Sequence, residues 1–109
     1  MSTSNVTPVQ VLTTIARTLV HTERYATVDE ALRGLALKEV ERKVLRYRRR
    51  VRYFERKHGT DFDGFSASLD SRATPAEEDD WLAWRAALSL LADWEKAHDE
   101  LKRNAVAGS

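Results

Sequence analysis

The stretch that most constrains this chain is Leu37 to His58, LKEVERKVLRYRRRVRYFERKH. Leu37, Val40, Val44, Tyr47, Val51, Phe54 and His58 recur there in alternating steps of three and four. Residues so spaced line one stripe of an α-helix, and an apolar stripe needs a second surface to cover it. Ten basic and three acidic residues lie between Lys38 and Lys57, so the remaining helix surface is crowded with positive charge. Whatever covers the seam must also answer that charge.

A chain of 109 residues has room for one thin core. Helices packed side by side, or a dimer sharing one core, are the solutions that bury enough apolar surface at this size. Only four glycines and two prolines occur, and runs with the period-two alternation of strands are few. The expectation is an all-α chain, a long antiparallel helical hairpin accompanied by two shorter helices. Cysteine is absent, which excludes disulfides and thiolate metal sites. No apolar run approaches the roughly 20 residues that span a bilayer, and no leader-like segment opens the chain. A cytoplasmic protein without membrane contact is expected. The net charge of +1 argues against a chain that coats nucleic acid with its whole surface.

Helix starts are written repeatedly in the sequence. Residues 1–7 read as a flexible tail. Thr7-Pro8-Val9-Gln10 places a capping threonine, a proline at the first helical position and a glutamine that can close a capping box. A first helix follows over about 8–22, with Leu12, Ile15, Ala16, Leu19 and Val20 on one side. Thr27-Val28-Asp29-Glu30 repeats the pattern and opens a helix over about 28–58, roughly 45 Å long at 1.5 Å per residue. Gly34 allows a kink within it, and Gly59 supplies a left-handed stop. Thr60-Asp61-Phe62-Asp63 opens one or two further turns through Leu69. Thr74-Pro75-Ala76-Glu77 starts a last helix over about 75–103, with Glu77 to Asp80 where the helix dipole favours negative charge. Trp81, Trp84, Leu88, Leu91, Trp94, His98 and Leu101 carry its seam. The expected organisation is one helical domain over 8–104, with 105–109 as a second flexible tail.

From Glu77 to Arg103 there are eight acidic and four basic residues, the converse of the arginine-rich helix. Antiparallel pairing would bring Arg56 and Lys57 beside Glu77 to Asp80. Such exposed pairs add only about 0 to 1 kcal/mol each, but they select orientation and register.

The candidate partner-binding residues are Arg46, Arg48, Arg49, Arg50 and Arg52. Adjacent arginines point around the helix as a collar, which suits several acidic contacts better than one groove. Neutralisation by the acidic helix or by a protein partner is the favoured reading, and binding to nucleic-acid phosphates is the alternative. The three tryptophans fall on the seam, where they serve as core or interface and not as base-stacking platforms. Glu77 to Asp80 point in four directions and form no metal cage. His21 and His98 lack partners at ligand or triad spacing. No catalytic, cofactor or metal set is assigned, and an enzyme is not expected.

Three resemblances add to this reading. Arg52 and His58 have the spacing of the arginine–histidine motif of helical HEPN ribonucleases, although Tyr53 stands where a small polar residue usually follows. Arg24-Tyr25-Ala26-Thr27-Val28-Asp29-Glu30-Ala31-Leu32-Arg33 is similar to the second-helix start of ribbon-helix-helix antitoxins. Tyr53-Phe54-Glu55-Arg56-Lys57-His58-Gly59-Thr60-Asp61-Phe62, followed by Glu78-Asp79-Asp80-Trp81-Leu82-Ala83-Trp84, resembles small helical antitoxins of prokaryotic toxin–antitoxin pairs. These last likenesses imply a protein that neutralises a cognate toxin through its long helices; a homodimer is expected separately, because the first helix and the Val28 to Leu35 stripe have more apolar surface than one hairpin covers. Residues 1–7 contain no basic residue, so a DNA-reading ribbon is not expected.

Overall fold

The computed structural model describes residues 7–22, 26–70 and 72–107, with side chains through Asn104. The N-terminal tail through Val6 and the Arg24-Tyr25 start of the ribbon-helix-helix-like stretch lie outside the described residues. Four helices follow in order: α1 Pro8–His21, α2 Val28–His58, α3 Phe62–Ser68 and α4 Pro75–Ala107. The described chain is all-α, and the long helices α2 and α4 pack as a hairpin.

Each helix start rests on local hydrogen bonds of the kind the sequence encodes. Thr7 and Gln10 form a reciprocal capping box, with Gln10 N donating to Thr7 Oγ1 and Thr7 N to Gln10 Oε1. Thr74 and Glu77 do the same for α4. At α2 the Glu30 amide donates to Thr27 Oγ1, while the Glu30 carboxylate reaches one residue further back, to the Ala26 amide. The cap of α3 is Asp61 and not Thr60, because the Asp61 carboxylate accepts from Gly64 N at 2.8 Å. Helix α2 runs unbroken through Gly34, so the allowed kink does not interrupt it. It ends at Gly59, whose φ of +67° lets its amide bond back to Glu55 O at 2.8 Å. Helix α4 continues to Ala107, past the expected stop near Arg103. Residues 105–107 are therefore helical.

The contacts divide the chain into two units. One holds residues 1–39 and 101–109. Among its described residues Ala16 and Ala31 are fully buried, and Val9, Val11, Leu12 and Ile15 of α1 stay exposed. The hydroxyls of Thr13, Thr14 and Thr18 bond back to the carbonyls four residues earlier, so their donors are satisfied within α1.

The other unit is residues 40–100. Val40, Val44, Val51 and Phe54 of the seam are buried there against α4, whose Trp84 and Ala87 are buried in turn. Ala87 lies outside the expected seam yet is more buried than Leu88 or Leu91, since the three-residue steps around it rotate the contact stripe. Phe54, Phe65 and Trp84 form the densest part of this core, with Phe62, Leu69, Trp81, Ala83 and Leu88 packed against it. Trp84 stacks on Phe54 and Phe65 at centroid separations of 5.7 and 5.5 Å. Trp81 donates from Nε1 to Ser66 Oγ at 2.8 Å, fastening α3 to the start of α4.

Candidate functional site

Antiparallel packing decides which charged residues are answered within residues 40–100. Arg48 bonds Glu95 at 2.9 Å, and His98 Nε2 lies 3.6 Å from Glu41 Oε2. These two contacts cross an open groove of about 750 Å³ lined also by Val44, Leu45 and Asp99. At the other end of the hairpin, Asp80 Oδ2 receives both Lys57 Nζ at 2.7 Å and His58 Nε2 at 2.8 Å. The Lys57 hydrogen bond, aided by His58, holds the Asp80 carboxyl below its ordinary range against the opposing effect of burial. The same hydrogen bond to Asp80 raises Lys57 above its ordinary value.

His58 is a structural link in this arrangement. Its ring stacks on Phe65 at 4.0 Å and on Trp84 at 5.9 Å, and its Nε2 faces a carboxylate that can only accept. Arg52 is exposed. Six residues along a helix rotate it by about 120° from His58.

The five candidate arginines, all exposed, are divided in the same way. Arg48 belongs to the groove through Glu95. Arg50 lies over the Phe54 ring at 5.7 Å, and Arg46 over Tyr47 at 5.9 Å. Both remain without a carboxylate partner among the described residues, as do Arg49, Arg52 and Arg56. Residues 42–54 contain no acidic residue at all. The collar is thus a cationic outer face, opposite the seam, with one member withdrawn to bind α4.

Two residues absent from the candidate set sit on that face. Leu45, which also lines the edge of the groove toward His98 and Asp99, and Tyr53 are both 51% exposed. They fall four residues to either side of Arg49, so the three form one row along the helix. That spacing was visible in the sequence as a second periodicity, opposite the seam. Tyr53 is held in place by an edge contact with Phe54 at 5.2 Å and by Lys57 Nζ, 5.9 Å from its ring centre. Arg56 completes the face. Of the acidic residues Glu77 to Asp80, Asp80 is met by Lys57, one of the two basic residues expected there.

Among the described residues no helix is long and apolar enough to cross a membrane, and no group of three or more ligating side chains is placed to hold a metal ion. No protein-family model, curated protein or solved structure matches the chain.

Proposed function

We propose that this chain is a protein-interaction module, antitoxin-like in its mode of action, which captures a partner protein on the outer face of α2. The observation that carries the reading is the composition of that face. Among the described residues Arg46, Arg49, Arg52 and Arg56 have no carboxylate partner, and exposed Leu45 and Tyr53 lie among them. Arginine and tyrosine around an apolar centre is the composition of protein-binding hot spots. Val40, Val44, Val51 and Phe54 of the seam are already buried, so the outer face is the part of α2 left for a partner.

The resemblance to helical antitoxins supplies the class of partner, a toxin whose working surface is covered on binding. Self-association belongs to the same reading and is supported by the apolar side chains that α1 leaves exposed. Co-expression with the product of the adjacent gene tests the partner directly. The expected result is rescue of growth together with co-purification. The double variant Arg49→Glu/Arg52→Glu should lose both, with binding weakened at least about tenfold and thermal stability unchanged. Undiminished binding by that variant would end the proposal.

A further inference from the structure

We infer that the docked element is an acidic amphipathic helix, an apolar seam with carboxylates on both margins; this deepens the protein-interaction reading and rests on it. The geometry of the α2 face carries the inference. Residues four apart on a helix form slanting ridges, and a second helix sets its own side chains into the grooves between them. Leu45, Arg49 and Tyr53 form the central ridge. Arg46 and Arg50 make the ridge on one side, and Arg52 and Arg56 the ridge on the other. All seven side chains are exposed.

The face therefore has apolar anchors at its centre and cations along both edges. Leu45 and Tyr53 are eight residues apart, about 12 Å along the axis, which is close to two turns of a facing helix. The complement is a helix with an apolar stripe flanked by Glu or Asp, as charged positions flank the seam of a coiled coil. Tyr53 is already positioned by Phe54 and Lys57, so little ordering of its ring remains to be lost on docking.

A nucleic-acid strand fits the same face less well. Phosphates would reward the arginines but bury Leu45 with no apolar contact in return. The field of the whole chain also gives little attraction to a polyanion, since the net charge is +1 and eight of the twelve charged residues between Glu77 and Arg103 are acidic.

The test uses the full chain and three probes. The first is a stapled helical peptide of about 18 residues with a leucine seam and glutamates on both margins. The second has the same composition, scrambled so that glutamates surround the helix. The third is a single-stranded oligoribonucleotide of equal charge. The first peptide is expected to bind at least about tenfold tighter than either control. Arg49→Glu/Arg52→Glu should weaken it by a similar factor and flatten its salt dependence. Tyr53→Ala, at a half-exposed site that the fold tolerates, should weaken it several-fold and leave the salt dependence unchanged.

Equal binding of the scrambled peptide, tighter binding of the oligoribonucleotide, or no effect of Tyr53→Ala and Leu45→Ala together would overturn the inference. A photoreactive residue substituted at Tyr53, in the chain co-expressed with its partner, separates two kinds of failure. A cross-link to a non-helical protein segment overturns the acidic helix alone. Cross-linking from Leu82 of α4 and none from Tyr53 overturns the docking face itself.

Discussion

Trp84 shows how one side chain can hold a core and still carry an internal cost. It is fully buried, it stacks on two phenylalanines and a histidine, and its Nε1 has no hydrogen-bond partner among the described residues. An unpaired buried donor costs about 1 to 3 kcal/mol, while the ring supplies the contacts of the whole aromatic cluster. Trp84→Phe removes the donor and part of the volume, two effects of opposite sign. It should change stability by less than about 1.5 kcal/mol in denaturant titration, whereas Trp84→Ala should cost about 3 to 5 kcal/mol. Equal losses in the two variants would show that the indole nitrogen is not an unsatisfied donor. Asp80 is the second residue with a measurable signature. Its carboxyl is lowered in the folded chain by Lys57 and His58, so its contribution is present above the ordinary carboxylate value and is lost as pH falls through the lower folded value. Asp80→Asn should therefore flatten the stability profile in the acid range below the ordinary carboxylate value, and the check is urea unfolding across that range. Lys57 has the opposite sign, because its raised value keeps the contact intact until alkaline pH.

Among the elements, α1 and the second half of α2 differ in what secures them. The α2 segment from Val40 to His58 buries four seam residues and closes on the aromatic cluster. Helix α1 has an intact capping box, yet Ala16 is its one buried residue while Val9, Val11, Leu12 and Ile15 remain exposed. Threonine, valine and isoleucine are also weak helix formers, so the cap does not make α1 stable by itself. Hydrogen exchange at low protein concentration should find the amides of Leu12 to Leu19 at least about tenfold less protected than those of Val51 to Lys57. In the homodimer reading this protection rises with concentration as a second copy covers the apolar side. A protection pattern independent of concentration would remove the dimer. Uniform protection of both helices at low concentration would mean that α1 is held as firmly as the hairpin.

For the whole molecule, charge is segregated by helix. The long basic helix and the largely acidic one pair antiparallel, and the cross-contacts at Glu41–His98, Arg48–Glu95 and Lys57–Asp80 mark a single register along residues 40–100. Exposed pairs of this kind are individually weak, so the register is enforced mainly by Phe54, Phe65 and Trp84. The charge pairs discourage alternatives in which arginines would face one another. This arrangement leaves the cations in excess of what α4 answers on the side away from it.

The helices, their caps, the seam and the antiparallel pairing could be read from the sequence, because they depend on bonds and repeats that span three or four residues. The capping boxes at Thr7 and Thr74, the stop at Gly59 and the burial of Val40, Val44, Val51 and Phe54 are of this local kind. Only the tertiary structure decided which arginines are answered. Arg48 meets a glutamate 47 positions away, Lys57 and not Arg56 meets Asp80, and His58 turns into the aromatic core while Arg52 turns outward. The physical reason is that these outcomes depend on the axial register and relative rotation of two packed helices. A shift of one residue turns a helix by about 100° and exchanges every charge partner, while leaving its caps and its apolar period unchanged.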